Sequence, residues 1–127
     1  MQVWVNTDDT KNVVMLASAL EQRVKAHSDK ELKAFIVFMN PTRKNEQGLS
    51  SQAAQVARLA KTQNIGVAYL ADPANPSISE YQMNPDRKVR NTVLVYRNKQ
   101  VASKFVNFQA NAAGLAALDA ALKGVLR

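Results

Sequence analysis

The sequence predicts a mixed α/β domain, a five-stranded β-sheet flanked by about four helices. Strand-like and helix-like runs alternate through residues 2–70, which calls for parallel strands joined by crossover helices. Residues 90–106, RNTVLVYRNKQVASKFV, hold two strand-like runs around a short polar turn, the pattern of an antiparallel hairpin. The chain then closes on a segment with Leu115, Leu118, Leu122 and Val125 at helical spacing.

The elements follow in order. Residues 2–6, QVWVN, read as a short strand. Thr7-Asp8-Asp9-Thr10 supplies cap-forming residues and first-turn acids for a helix running to about His27. Val13, Leu16, Ala17, Leu20 and Val24 make its buried stripe. Residues 28–31 are a polar break. Within residues 32–39, Phe35-Ile36-Val37-Phe38 is the most apolar run in the chain and is expected to be the central strand, covered on both faces. Asn40-Pro41 ends it, since proline donates nothing to a ladder. Residues 41–49 read as a polar loop, and Ser50 or Ser51 is expected to cap a helix over 52–63, with Ala53, Val56, Ala57 and Ala60 inward. Residues 66–70, GVAYL, are a third strand. After the loop formers Asp72-Pro73-Ala74-Asn75-Pro76, Ser77 to Glu80 matches a capping box, so a short helix is expected there.

Residues 91–96 are apolar without alternation, as in a doubly covered strand. A tight turn is expected at Asn98-Lys99. Gln100–Val106 alternates, with Val101, Ser103 and Phe105 on one side and Ala102, Lys104 and Val106 on the other. That is an edge strand, and Lys104 discourages edge-to-edge pairing. Asn111 is expected to cap the last helix, whose propensity Gly114 and Gly124 lower.

Composition excludes several classes. The 127 residues make one domain, without repeats, linkers or low-complexity tracts. There is no cysteine, so disulfides, thiol catalysis and thiolate metal sites are excluded. No apolar run approaches the ~20 residues of a membrane span, so no membrane insertion is expected. Met1 runs directly into the strand-like Gln2-Val3-Trp4-Val5 with no signal peptide, an abrupt start compatible with the mature form of an exported or periplasmic protein. The net charge of +7 and pI near 9.9 suit an acidic partner, with solubility the plainer and favoured reading.

The element order, β-α-β-α-β-(short α)-β-β-α, resembles that of thioredoxin-like proteins. Thr92-Val93-Leu94-Val95-Tyr96-Arg97-Asn98-Lys99-Gln100-Val101-Ala102 is similar to that family's strand-turn-strand segment, typically T-L-L-L-F-K-N-G-E-V-A. Phe105-Val106 and the leucine-spaced terminal helix follow in matching places. The resemblance implies a Cys-x-x-Cys motif at the start of the helix after the central strand. The matching residues 40–51, NPTRKNEQGLSS, hold no thiol. Disulfide exchange requires a thiolate of lowered pKa, and a serine hydroxyl cannot replace it. The family's cis-proline before the fourth strand falls on Asn91. A cis bond before a non-proline residue costs about 3 kcal/mol, so a trans bond is expected.

Other chemistry finds little support. His27 is the sole histidine, and its neighbours Ser28 and Asp29 point away from it. A hydrolase would have to assemble His27, Ser50 or Ser51 and an acid from distant segments. No metal site, phosphate loop or dinucleotide fingerprint is present, so no metal and no cofactor are expected. The resemblance implies a non-catalytic thioredoxin-fold domain, a protein-binding or scaffold module without thiol-disulfide activity. Its candidate surface is residues 41–51 with 88–91, where Arg43, Lys44, Lys88, Arg90 and Asn91 are the candidate binding residues. The alternative is a polyanion or nucleic-acid binder acting through the basic surface. Arg97 and Lys99 are expected at the opposite end of the sheet, and Tyr96 and Phe105 in the core rather than as stacking platforms.

Overall fold

Why each segment settles where it does is visible in a computed structural model of the chain, which describes residues 1–6, 10–40, 45–72, 74–81, 83, 89–97 and 100–126. Five strands, β1 (Gln2–Val5), β2 (Phe35–Phe38), β3 (Gly66–Tyr69), β4 (Asn91–Arg97) and β5 (Gln100–Val106), form one mixed sheet. Four helices accompany it, α1 (Thr10–Ala26), α2 (Glu46–Ala60), α3 (Pro76–Glu80) and α4 (Ala112–Val125). The strand order is β3-β2-β1-β4-β5. β1, β2 and β3 run parallel, while β4 is antiparallel to both β1 and β5.

The middle strand is therefore β1, not β2 as the hydrophobic run suggested. β1 and β2 are each four residues, and the glutamine that opens β1 hid its central place. Gln2 is nonetheless buried, because both ends of its amide are used. Its Oε1 accepts from Trp4 Nε1 at 3.1 Å, and its Nε2 donates to the Tyr96 hydroxyl at 3.4 Å. A buried amide so satisfied avoids most of its desolvation penalty.

The two faces of the sheet are covered unequally. Val3, Val5, Ile36, Phe38, Val93 and Val95 pack with the apolar stripes of α1, α2 and α4 in the main core. On the other face Trp4, Val37, Met39 and Leu94 form a smaller cluster with Ile78 of the five-residue α3 and Met83, edged by Phe35, Leu70 and Tyr96. The Trp4 and Tyr81 rings lie 5.4 Å apart there. All three long helices thus lie on one side.

Helix boundaries moved where a cap other than the expected one governs. Asn45, not Ser50 or Ser51, caps α2, its side chain accepting from Gly48 N at 2.7 Å. Residues 46–51 are consequently the first turns of a helix rather than loop, and Lys61, with φ 53°, closes it before residue 63. Asn75 rather than Ser77 caps α3, with Pro76 at the first helical position, where its missing N–H is harmless. The caps expected at residues 7–9 and the turn at 98–99 lie outside the described residues. Asn111 caps α4 as expected. Among the described residues no peptide bond is cis.

Candidate functional site

The carboxyl ends of β1, β2 and β3 meet the start of β4 on one rim, and backbone hydrogen bonds stitch that rim together. Met39 N donates to Val5 O and Leu70 N to Phe38 O, each at 2.8 Å. Asn6 N donates to Arg90 O at 2.8 Å. The Asn40 side chain, buried, donates to Ala71 O at 2.9 Å.

Of the five residues expected to bind on this rim, Arg43, Lys44 and Lys88 lie outside the described residues. Arg90 is exposed, and its N–H donates to Asn107 Oδ1 at 2.6 Å. Asn91 is the first residue of β4. It is buried at 2 % exposure, its Oδ1 accepts from Phe108 N at 2.7 Å, and its Nδ2 donates to Phe108 O at 3.1 Å. Both ends of that amide hold the segment after β5. Asn12 holds the next part of it, accepting from Ala110 N at 2.9 Å and donating to Phe108 O at 2.9 Å. No segment of the chain contains cysteine.

The hydrolase elements do not converge. Ser50 and Ser51 sit in the early turns of α2, on the rim side, whereas His27 follows the far end of α1. The 17 residues of α1 span about 25 Å at 1.5 Å per residue. Near His27, Arg23 makes a two-pronged contact with Asp119, Nε to Oδ1 at 2.7 Å and Nη2 to Oδ2 at 3.0 Å. This contact first, and the nearby charges of Arg23, His27 and Lys123 after it, hold the Asp119 carboxyl below the usual carboxylate range. Among the described residues no three His, Asp or Glu side chains gather as a metal-holding group. No described helix is long and apolar enough to cross a membrane.

Among the described residues, basic side chains stand at both ends of the sheet. Arg90 stands at the rim, while Arg97 lines a groove with Lys30 and Lys33 at the opposite end. Phe105 packs on the core and edge-on to Phe108, their centroids 5.7 Å apart, so it offers no stacking platform.

A different surface stands out along β5, which among the described residues pairs with β4 alone. Asn6 N bonded to Arg90 O sets the alternation in β4, so residues 90, 92 and 94 turn their backbone groups to β1. Residues 91, 93 and 95 therefore turn toward β5, where Asn107 N donates to Asn91 O at 2.9 Å. It follows that Ser103 and Phe105 face β4, while Lys104 and Val106 direct their N–H and C=O groups outward. A register shift between Val95 and Tyr96 leaves Ala102 as an extra residue and brings Val101 opposite Tyr96. Val101 thus joins the face of Lys104 and Val106, instead of that of Ser103 and Phe105 as simple alternation suggested. Val101 and Val106 are 57 % and 51 % exposed, and Lys104 is exposed between them. Sequence reasoning identified the edge strand but not this grouping, because the bulge leaves no mark in the apolar pattern. Residues 87–118 also hold six Lys and Arg and no Asp or Glu, a run of 32 residues in which the whole β4–β5 ribbon lies. Compared with known proteins, the chain matches no family model, no curated protein and no solved structure.

Proposed function

We propose that the chain is a thioredoxin-like binding module that acts by holding a protein partner rather than by turnover. The element order and the hairpin motif support the fold assignment, and the lack of cysteine removes the family's thiol chemistry. The observation that carries the binding reading is the edge of β5, which among the described residues pairs with β4 alone. Seven residues of strand offer outward N–H and C=O groups at Lys104 and Val106, flanked by exposed valines. Such an edge is a template for an added strand, in which main-chain hydrogen bonds supply affinity and alternate side chains supply selectivity. β3, at the other edge, is four residues long and begins on a glycine, a much shorter template.

The test is a photo-crosslinking side chain at Ala102, on the edge, against one at Ala54, exposed on α2. The reading expects protein adducts at Ala102 alone, in the cells that make the chain. It also expects them to disappear with Val106→Pro, which deletes an outward N–H without removing a bond to β4. Equal adducts at both positions, or none at Ala102, would refute it.

A further inference from the structure

Resting on that reading, we infer that the strand accepted by β5 is an extended segment bearing a carboxylate opposite Lys104, an acidic peptide with apolar residues on either side. Lys104 sits at the middle of the exposed face formed by Val101, Lys104 and Val106. A cation directly across an added strand attracts an acid and repels a base. A second copy of this chain is disfavoured, because pairing β5 with itself sets two Lys104 side chains on one small edge and brings together two chains of charge +7. The strands of the ribbon themselves hold basic residues and no acid. The ribbon carries Arg90, Arg97 and Lys104, and no acid lies between Asp86 and Asp119 in the sequence. An edge guarded only against aggregation needs the lysine and the bulge, but not exposed valines on both sides of it. Valines spaced about a central cation match a strand whose alternate side chains are apolar, acidic and apolar.

Two seven-residue peptides test this with the full chain, Thr-Val-Thr-Glu-Thr-Val-Thr and its counterpart with Lys for Glu. The readout is hydrogen exchange and amide shifts resolved by residue. Strand addition protects the outward amides of Lys104 and Val106 and leaves that of Phe105, already turned to β4, unchanged. The acidic peptide should bind about 5- to 10-fold more tightly than the basic one, the swing of one exposed cross-strand charge from attraction to repulsion. Lys104→Glu should invert the order. Equal protection by both peptides would overturn the carboxylate preference and leave strand addition standing. No protection by either would overturn strand addition, and this inference with it. A mixed-sequence oligonucleotide that shifts Arg90 and Lys104 without protecting Val106, where the acidic peptide does nothing, would replace both with polyanion binding.

Discussion

Adding one methyl group at Gly114 should destabilise the fold although it improves the helix. Gly114 is the third residue of α4, and its N–H donates to the Asn111 cap at 2.8 Å. A Cβ built there would lie 2.0 Å from Gln109 O, a backbone atom, and 3.2 Å from Gln109 C. The carbonyl would have to retreat by about 1 Å, to the closest approach real side chains show. It is not free to do so. Ala110 N is held by Asn12 Oδ1, and Phe108 by Asn91 through both its N–H and its carbonyl. Overpacking of this kind costs 1–3 kcal/mol, and disturbing the cap adds about 1 kcal/mol. The helix preference of alanine over glycine returns at most about 1 kcal/mol. Gly114→Ala should therefore lose about 2 kcal/mol, or roughly 6–10 °C in a chain of this size. Gly124 gives the control, since a Cβ there meets nothing within 4 Å. Gly124→Ala, close to the fraying end of α4, should gain about 0.5 kcal/mol. Urea denaturation followed by circular dichroism reads both. Two variants equal in stability, or Gly114→Ala more stable than the parent, would refute the steric reasoning.

Asn91→Ala should lose about 2–4 kcal/mol in the same assay, because it leaves the buried Phe108 N–H without its acceptor. A change under about 0.5 kcal/mol would show the clamp to be dispensable. The Arg23–Asp119 pair is partly exposed and should contribute under about 1 kcal/mol. Because Asp119 is held below the usual carboxylate range in the fold, that contribution is present at neutral pH and disappears as pH falls through its folded-state pKa. Asp119→Asn should flatten the acid limb of the stability profile correspondingly. In the 127-residue chain, burial lowers the Met1 amino group from 8.0 to about 6, while it donates to Lys33 O at 2.7 Å. The unfolded chain then binds more protons between those values, so stability should rise by about 1–2 kcal/mol from pH 6 to pH 8, discounted for partial solvent access. An acetylated amino terminus should lack that slope, and an unchanged slope would assign it to another group.

Periodicity made most of the fold legible. The α1 stripe of Val13, Leu16, Ala17, Leu20 and Val24 is buried throughout, and β2 and β5 fall on the residues expected. What periodicity could not provide was the sheet order. The deciding fact is that Gln2 is satisfied by Trp4 and Tyr96, and Tyr96 is 94 residues away. Likewise the start of α2 depends on whether Asn45 or a later serine takes the cap. Both are acceptable caps, and the packing of Leu49 into the core favours the earlier one. The candidate site was less legible for the same reason. Asn91 reads as a polar residue on a functional rim, yet its partner is a backbone unit 17 residues on.

Five asparagines show how a structural role can be told from a recognition role. Asn12, Asn40, Asn91, Asn107 and Asn111 all lie at the rim or in the segment leading from β5 into α4, and each directs its side chain to a backbone group. They supply the hydrogen bonds that a crossing of loops would otherwise lack, so their polarity is used internally. Loss of any one would be felt as stability rather than as affinity. The outward groups of β5 are the converse. Lys104 and Val106 contribute no backbone hydrogen bond to the β4 ladder, and their replacement should leave stability within about 0.5 kcal/mol. A surface whose changes alter binding and leave folding untouched is what separates a recognition site from a structural one. By that criterion the β5 edge proposed above is where mutation should first be directed.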